Sequence, residues 1–365
     1  MAGPEEFPYR QYAMSPMNQT LVSLTSILSM AGSLMIILSY IAWKDIQTVS
    51  RKVLVWLSIC DFFIALGNIC GTFFRPTMIE TQDKKCIVQS FIMSAASISS
   101  FCWSVTLACC LYMTIIKNNY QLFVYLTPYF HIFNWSIGLL INTVAAEQKM
   151  LGNTHDEVTS GWCWIRHLNC SSKQHIHCSK EINWMLANYK AIEIVAYAAI
   201  CFLYLLVKIN LRREMKSQLQ NLDTSSAVLK IAKSADRKLI LLPIILVLAR
   251  IPGTVRFLIF ALNKTPSTLT LWAKILLVLQ GIGDSSQGLI NCIFFCFLQP
   301  RVRQHLKELL PTVICPRACR LTCLKEQQLD LRKDNYYSSD CDTSVFASAK
   351  DPLIDRSKLQ CKSYN

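Results

Sequence analysis

The stretch IVQSFIMSAASISSFCWSVTLACCLYMTII, residues 87–116, decides the fold because it holds no charged side chain. A bilayer core of about 30 Å is crossed by about 20 apolar residues in an α-helix. A soluble helix of comparable length would show charges on its solvent face. The stretch therefore predicts a transmembrane helix. Its small and hydroxyl residues at 94–104 let neighbouring helices approach closely, which predicts the central position in a bundle.

The composition of the whole chain agrees with a membrane protein. Of the 365 residues, 52% are hydrophobic and 16% are charged, whereas a soluble domain carries about 25% charged residues. The net charge of +14 lies between and after the apolar runs. This placement favours the lipid bilayer over nucleic acid as the partner of the basic residues. Residues 1–20 lack the pattern of a cleaved signal peptide.

Six further apolar stretches are long enough to cross a bilayer, and in lipid they must be helices because their backbone groups have no other partners. With 87–116 in third place, the other predicted spans are 20–43, 53–74, 122–146, 188–208, 239–262 and 269–298. The predicted fold is an all-α membrane protein, a seven-transmembrane helix bundle followed by a short amphipathic helix. The predicted domains are an extracellular N-terminus (1–19), the bundle (20–298), the amphipathic helix (299–310) and a disordered cytoplasmic tail (311–365).

The orientation follows from the basic residues near the ends. Arg301, Arg303 and Lys307 come directly after the seventh span, whereas the N-terminal segment has Arg10 alone. Because positive charge is retained on the cytoplasmic side, the N-terminus is predicted to be outside. The predicted location is the plasma membrane, with the ciliary membrane left open.

Asparagine sequons fall on the side predicted to be outer. Asn18-Gln-Thr and Asn169-Cys-Ser predict glycosylation at Asn18 and Asn169, and a third sequon begins at Asn263. Chance sequons are common, so unmodified asparagines remain the alternative.

The motif GWCWI (161–165) lies in a polar loop, 147–187, between two spans. On the outer side this loop is in an oxidising environment, so disulfides are expected. Four outer cysteines, Cys86, Cys163, Cys170 and Cys178, allow three pairings. A Cys86–Cys163 bridge would hold the loop across the outer end of the third span, and Cys170–Cys178 would close a smaller loop. The tryptophans of GWCWI are predicted to sit at the membrane interface.

Several stretches resemble the slime-mould cyclic-AMP receptor group of G-protein-coupled receptors and its animal orphan relatives. They are LSICDFF (57–63), GWCWI, ADRKLILLPIILVLARIPGTVRFLI (235–259) and QGIGDSSQGLINCIFF (280–295). The resemblance runs from about residue 24 to 305. It implies a receptor that passes an extracellular signal to a heterotrimeric G protein, with calcium and phospholipase C or cyclic AMP as second messengers. The extracellular ligand is left unidentified.

Motifs of rhodopsin-like receptors are missing from the sequence. The inner end of the third span reads YMTIIKNN (112–119) instead of an acidic-Arg-Tyr motif, and the seventh span has no Asn-Pro-x-x-Tyr. The activation switches of rhodopsin-like receptors are therefore not transferred to this chain.

Polar side chains inside the spans are predicted to form a switch or to line a ligand pocket. A charge near the bilayer centre costs about 2.5–3.5 kcal/mol, and such residues usually face the bundle interior. Asp61 and Asn291 lie at comparable depth and are predicted to form a polar switch or a cation site, with a protonated structural Asp as the alternative. The full set is Asp61, Glu193, Arg250, Arg256, Asp284 and Asn291.

Helical rise gives the depth of the charged residues and so their predicted partners. Glu193 and Arg256 lie at matching depth in the outer half, and Arg250 and Asp284 near the middle. Each pair is predicted to be a latch between moving helices or a static salt bridge. A third reading is that Arg256, together with Lys190 and Lys274, meets an anionic ligand group such as a phosphate.

The inner loop and the tail carry the predicted intracellular contacts. Residues 209–238 are basic and read as helical extensions of spans five and six, suited to a G protein and to anionic lipid. Residues 299–310 predict an amphipathic helix on the inner leaflet. Palmitoylation is predicted at Cys315, Cys319 and Cys323. Phosphorylation by a receptor kinase, recruiting an arrestin, is predicted at Ser338, Ser339, Thr343 and Ser344, with an idle polar tail as the alternative.

Other functions fit the sequence less well. A multi-pass transporter or channel is the main alternative, but no internal repeat is visible and seven spans do not divide into equal halves. A membrane enzyme would need clustered histidines and acids, whereas His131 is the one histidine inside a span. No cofactor, metal or catalytic residue is predicted.

Overall fold

The structure is a computed structural model, and it describes residues 8–74, 84–117, 119–154, 157–168, 179–221, 245–262 and 269–314. The chain divides into two units, Met1–Lys307 and Glu308–Asn365. The first unit holds the helix bundle and the functional site. The described part of the second unit is the last stretch of one helix.

The described residues form helices and one two-stranded ribbon. The elements are α1 (Pro8–Ala13), α2 (Pro16–Ala42), a 3-10 turn (Lys44–Ile46), α3 (Val49–Phe74), α4 (Lys84–Ile115), α5 (Tyr120–Glu147), β1 (Leu151–Gly152), β2 (Trp164–Ile165), α6 (Ser179–Met185), a π turn (Leu186–Lys190), α7 (Ala191–Asn221), α8 (residues 245–261), α9 (Leu271–Ser285), α10 (Gln287–Cys292), a second π turn (Ile293–Phe297) and α11 (Pro300–Ile314).

The predicted all-α bundle is confirmed. The seven predicted spans coincide with α2, α3, α4, α5, the continuous helix α6–α7, the described part of α8, and the series α9–α10. Among the described helices, α2, α3, α4 and α6–α7 are long and apolar enough to cross a membrane by length and composition.

Burial in the bundle is the reverse of that in a soluble protein. Large apolar side chains such as Leu38, Ile132 and Val195 are 61%, 69% and 67% exposed, whereas Asp61 and Asn142 are 1% and 0% exposed. A soluble chain rarely buries such polar groups while exposing whole apolar faces. The outer faces are therefore suited to lipid, and the polar groups bond to one another inside.

Helix α4 lies at the centre, as the small residues of its sequence predict. It packs against α3, α5 and α7 and against both strands of the ribbon. Its approach to α5 is close because α5 has a glycine at the crossing. A Cβ on Gly138 would lie 2.6 Å from the Ala95 carbonyl oxygen and 2.9 Å from the Ser99 hydroxyl.

The N-terminus differs from its prediction. Helix α2 begins at Pro16, four residues before the predicted span, and the Ser15 side chain caps it by accepting from the Asn18 backbone N–H at 3.4 Å. The Asn18 side-chain amide is fully buried and donates to the carbonyls of Ala13 at 2.8 Å and Ser160 at 3.1 Å. The prediction of a glycan at Asn18 is therefore wrong, because a sequon does not reveal that its helix packs into the protein.

The ends of α7 and α11 also extend the predicted elements. Helix α7 continues to Asn221, beyond the predicted span end at 208, which agrees with the helical extension expected from the basic inner loop. Helix α11 covers the predicted amphipathic segment 299–310 from Pro300 onward and ends at Ile314. Several predicted sites lie outside the described residues: Asn169, Asn263, Cys170, Cys178, Cys315, Cys319, Cys323, Ser338, Ser339, Thr343 and Ser344.

Candidate functional site: a polar chain through the helix bundle

The two ends of the bundle are named here by their contents. The disulfide end carries the bond between Cys86, at the start of α4, and Cys163, whose Cα atoms are 5.5 Å apart. The opposite end, called the α11 end, contains the turn between α2 and α3 and the start of α11. Of the pairings that the sequence allows, the structure thus forms Cys86–Cys163.

A buried loop closes over the disulfide end. Its residues 150–154 and 158–165 are buried, and we call them the loop cap. Strands β1 and β2 pair antiparallel within it, with Leu151 opposite Ile165. The Cys163 backbone N–H donates to the Gln89 side-chain oxygen of α4 at 3.0 Å. The loop cap is therefore bound to the bundle by hydrogen bonds as well as by the disulfide.

The tryptophans of the GWCWI motif point into the protein, so their predicted place at the membrane interface is wrong. Trp162 and Trp164 are 3% and 6% exposed. The Trp164 indole N–H donates to the Asn188 side-chain oxygen at 3.0 Å, and the Asn188 amide donates to Asn142 at 3.1 Å. The sequence motif shows that the tryptophan rings are amphipathic. It does not show whether they lie in the membrane interface or in the protein interior.

A line of hydrogen bonds begins near the middle of the bundle at Asp61 of α3. The Asn291 side-chain amide donates to Asp61 Oδ2 at 2.7 Å, and the Ser100 hydroxyl donates to Asp61 Oδ1 at 3.0 Å. The Gln287 amide then donates to the Ser100 hydroxyl at 2.8 Å. Residues from α3, α4 and α10 are thereby joined around one buried carboxyl group, as the predicted Asp61–Asn291 pair requires.

Arg250 of α8 is the centre of the line. Its guanidinium donates to Asp284 Oδ1 at 2.9 Å, to the Gln287 side-chain oxygen at 2.9 Å and to the Tyr189 hydroxyl at 2.7 Å. The predicted Arg250–Asp284 pair is thus present. Arg250 also lies 5.6 Å from the centre of the Phe101 ring. One side chain therefore connects α8 to α4, α9, α10 and the π turn that precedes α7.

The predicted pair Glu193–Arg256 is not formed. Glu193 bonds to Lys190 at 2.8 Å and lies 3.9 Å from Arg250. Arg256 instead bonds to the Gln280 side-chain oxygen and to the Thr159 carbonyl of the loop cap. Equal depth was the basis of the prediction, but depth does not fix the direction in which a side chain leaves its helix.

Gln280 completes the connection to the loop cap. Its amide nitrogen is 3.3 Å from Asp284 Oδ2 and 2.9 Å from the Val158 carbonyl. Contacts shorter than 3.5 Å therefore run without a gap from the middle of the bundle to the loop cap. We call this series the polar chain; its members are Asn291, Asp61, Ser100, Gln287, Arg250, Asp284, Gln280 and Arg256.

The cations predicted to meet an anionic ligand are already engaged. Lys190 pairs with Glu193, Arg256 is bonded as described, and Lys274 lies 5.6 Å from the centre of the Tyr12 ring. The described side chains therefore do not leave a converging set of basic groups for a phosphate. Outside the membrane, burial and then Glu157 raise the pKa of Tyr9 in α1, which keeps this hydroxyl neutral.

Three members of the polar chain, Ser100, Gln280 and Gln287, and the contacting residue Tyr189 were absent from the sequence predictions, whereas Asp284 and Asn291 were predicted. Gln280, Asp284, Gln287 and Asn291 recur at intervals of four, three and four residues, which places them on one face of the α9–α10 series. That polar stripe was visible in the sequence. Tyr189 and Ser100 carry no comparable signal, because a lone Tyr or Ser in a span is ordinary.

Irregular backbone lies beside the polar chain. The α9–α10 series is interrupted at Ser286 and widens into a π turn at Ile293–Phe297, and a second π turn, Leu186–Lys190, carries Tyr189. Such irregularities in helices are frequent at functional sites. The arrangement can carry a shift between helices; among the described residues no group of three or more His, Cys, Asp or Glu side chains could hold a metal.

Comparison with known proteins places this geometry in a family context. A family model described as slime mold cyclic AMP receptor matches residues 11–175. The chain is 31% identical to G-protein coupled receptor 157 of Homo sapiens over 80% of this chain and 84% of the relative, and 30% identical to that of Mus musculus over 83% and 88%. It is 24% identical to Cyclic AMP receptor-like protein A of Dictyostelium discoideum over 44% and 40%.

Proposed function

The chain belongs to the G-protein coupled receptor 157 family, and from this premise we propose that it passes an extracellular signal to a heterotrimeric G protein. The downstream second messengers would be calcium, through phospholipase C, or cyclic AMP. The relatives are receptors by name, which supports a receptor that is not an enzyme. The coupling to a G protein and the extracellular ligand are the parts of the proposal that need experiment.

The polar chain is the observation that carries the proposal. It joins the loop cap at one end of the bundle to Asp61, through Arg250 of α8. A ligand that moves the loop cap or α8 would change the partners of Arg250. A buried charged group is stable only where it has partners of opposite charge or hydrogen-bond acceptors. A change of partners at Arg250 would therefore convert the bundle from one discrete state to another.

We place the disulfide end outside the cell and the α11 end in the cytosol, with the protein in the plasma membrane. A disulfide is expected in an oxidising compartment, and Arg301, Arg303 and Lys307 follow the last span. Epitope tags at the two ends, stained before and after permeabilisation, test this orientation. The N-terminal tag should stain in intact cells and the C-terminal tag after permeabilisation; staining of both on one side contradicts the receptor proposal.

The resting state is held by the Arg250 cluster, which we define as Arg250, Asp284, Gln287 and Tyr189. Removing the negative charge of Asp284 leaves the buried Arg250 guanidinium with less opposite charge nearby. A shift of about 1 kcal/mol between two states changes their ratio about fivefold, and interhelical polar bonds in membranes contribute about 0.6–1.7 kcal/mol. Weakening the cluster therefore suffices to raise basal activity.

The direct experiment measures basal G-protein dissociation in cells that express the full chain with a panel of Gα classes. Wild type should dissociate at least one class above empty vector, and Asp284→Asn should raise that basal signal about fivefold at equal surface level. Ile132→Val, which changes a lipid-facing residue that is 69% exposed, is the matched control and should leave the signal unchanged. No dissociation by wild type or Asp284→Asn with any Gα class contradicts the proposal.

The transporter or channel alternative makes a different prediction for the same cells. It requires ion or solute flux that depends on the protein and persists when G proteins are inhibited. Flux without G-protein dissociation would decide for that alternative.

Regulation by other partners is part of the proposal. We expect a receptor kinase to phosphorylate Ser338, Ser339, Thr343 and Ser344 and an arrestin to bind the product. Palmitoylation of Cys315, Cys319 and Cys323 and a glycan at Asn169 belong to the same proposal. Mass spectrometry of the purified full chain tests all of these modifications.

A further inference from the structure

Three sulfur atoms from two helices meet inside the bundle towards the α11 end. The Cys292 sulfur, at the end of α10, lies 3.4 Å from the Met35 sulfur of α2. Cys296 follows Cys292 by four residues and lies in the same apolar core, and its sulfur is 4.0 Å from the hydroxyl of Ser39, which follows Met35 by four residues in α2. Both cysteines are buried, at 1% and 0% exposure. We call Met35, Cys292 and Cys296 the sulfur cluster.

The backbone around the sulfur cluster is unusual. Cys296 lies in the π turn Ile293–Phe297, which follows directly on Cys292. The Phe295 carbonyl of this turn accepts a hydrogen bond from the Arg51 guanidinium of α3. Irregular turns of this kind in helices are frequent at functional sites.

Arg51 brings a buried positive charge to the cluster. It is 7% exposed, and its NH1 nitrogen has no hydrogen-bond partner under strict geometry. The Cys296 thiol is the titratable group next to it. Among the described residues, no carboxylate forms a salt bridge with Arg51. A buried cation without a counter-charge is costly, so an anionic group at the sulfur cluster would be stabilised by Arg51.

We propose that the sulfur cluster binds one Cu(I) ion through the thiolates of Cys292 and Cys296 and the thioether of Met35. Soft thiolate and thioether ligands select Cu(I), zinc or iron–sulfur clusters. Structural zinc sites and iron–sulfur clusters use four protein ligands, whereas this cluster has three sulfur ligands, which favours Cu(I). This site is separate from the polar chain and does not depend on the proposed signalling function.

The charges balance inside the membrane. Arg51 with two thiolates and one Cu(I) ion carries no net charge. Each cysteine that becomes a ligand releases its thiol proton, so binding leaves no net charge in the apolar interior.

Between Met35 and Cys292 the geometry needs little adjustment. Metal–sulfur bonds of about 2.3 Å place the three ligands of a trigonal site about 4 Å apart. The Met35 and Cys292 sulfurs would therefore move apart by a few tenths of an ångström. The unbranched side chain of Met35 has the freedom to do so.

The test is a titration of the purified full chain with Cu(I) under anaerobic conditions, in competition with a chromogenic Cu(I) chelator. The chain carries Cys315→Ser, Cys319→Ser, Cys323→Ser, Cys341→Ser and Cys361→Ser throughout, so that tail thiols do not bind the metal. We expect one Cu(I) per chain to resist the chelator. Cys292→Ser and Cys296→Ser should each abolish this binding, and Arg51→Gln should weaken it about 10–100-fold because it acts on the ligands from outside the metal.

Matched controls separate the cluster from other sulfur groups. Met35→Leu conserves volume and should weaken binding, whereas Met113→Leu, next to the same apolar core, should not. Cys201→Ser, which changes an exposed free cysteine, should also have no effect. Size-exclusion chromatography confirms that each variant is folded.

X-ray absorption gives a readout that does not depend on the cysteine variants folding. In selenomethionine-labelled protein, copper at the cluster has selenium as a neighbour, and Met35→Leu removes that signal. A copper shell of nitrogen and oxygen, failure of the chain to retain Cu(I), or equal retention by wild type and Met35→Leu would each overturn the proposal.

Discussion

At the scale of single residues, one indole N–H decides how the loop cap is held. Trp164 donates to Asn188, and Asn188 in turn donates to Asn142 of α5. All three side chains are buried. A buried acceptor that loses its donor costs about 1–3 kcal/mol, more than the net value of the bond itself. The position is therefore sensitive to changes that conserve shape but remove the N–H group.

Trp164→Phe should lower the thermal stability of the detergent-solubilised protein by an amount equivalent to about 1–3 kcal/mol. Fluorescence-detected size-exclusion chromatography after heating measures this change. Trp272→Phe is the matched control, because Trp272 is 74% exposed, and its melting temperature should equal that of wild type. Equal melting temperatures for both variants would contradict the described packing of the loop cap.

The charged residues show how far sequence reasoning reaches. Helical rise gave the correct partner for Asp284, since Arg250 lies at the same depth and on a facing helix. The same arithmetic gave the wrong partner for Arg256. Depth is a one-dimensional quantity, and the π turn Leu186–Lys190 changes the direction of the side chains around it. Partners that depend on direction cannot be read from spacing alone.

At the scale of helices, α8 and α9 approach each other so closely that a glycine is needed at their contact. A Cβ on Gly283 would overlap the carbonyl oxygen of Ala249, which is backbone and cannot move aside. A Cβ on Gly253 would meet the Gln280 side chain at 3.2 Å, a contact that a shift of a few tenths of an ångström would relieve. Both glycines lie between α8 and α9, but a side chain at Gly283 should disturb the packing more than one at Gly253.

Gly283→Ala should destabilise the protein strongly, by about 1–3 kcal/mol or more, because two helices must separate to admit the methyl group. Gly253→Ala should have a smaller effect. Surface display and thermal stability of the two variants measure the difference. A milder effect at Gly283 than at Gly253 would mean that α8 and α9 are not packed as described.

A polar contact joins α11 to the turn after α2. The His305 ring is 2.9 Å from Asp45 Oδ2 and stacks on Trp43 with ring centres 4.8 Å apart. This hydrogen bond from His305 is the main cause that holds the pKa of Asp45 below its ordinary value of 3.8. A carboxyl group with a lowered pKa contributes its full stabilisation above the ordinary value and loses it as the pH falls towards the lowered one.

The contact between α11 and this turn should therefore survive acidification to about pH 4 and weaken below 3.8. The difference in tryptophan fluorescence between wild type and Trp43→Phe, followed in nanodiscs from pH 7 to pH 3, reports it. Asp45→Asn should abolish the acidic transition. A transition near pH 6 that persists in Asp45→Asn would show that Asp45 does not set the pH dependence.

The sequence predicted the ends of a helix correctly where the length of an apolar stretch sets them. The spans from 53 to 146 match α3, α4 and α5 within a few residues. The break at Ser286 and the π turns were not predicted, because no Pro lies within them. Such irregularities come from tertiary contacts, which a local pattern does not contain.

At the scale of the whole molecule, the Cys86–Cys163 disulfide closes a segment of 77 residues. Chain-entropy estimates for a loop of that size give about 4 kcal/mol of stabilisation. The bond ties the central helix to the loop cap, and the loop cap in turn contacts α2, α8 and α9. Loss of this bond should therefore destabilise the entire disulfide end.

Cys86→Ser and Cys163→Ser should each reduce surface display, and the double variant should resemble either single one because one bond is lost in all three. Flow cytometry of an N-terminal tag measures display, and Cys201→Ser serves as the control. Wild-type display from both single variants would contradict the importance of the bond.

The two π turns have an evolutionary consequence. Each wide turn accommodates one residue beyond the α-helical ladder, and a residue corresponds to about 100° of rotation along a helix. Because the wide turn absorbs this rotation, loss of one codon within 186–190 or 293–297 would restore an ordinary helix and leave the residues beyond it on nearly the same faces. Alignments of distant homologues should therefore open single-position gaps there, and a homologue with such a gap should still present the same face of its helix to the interior.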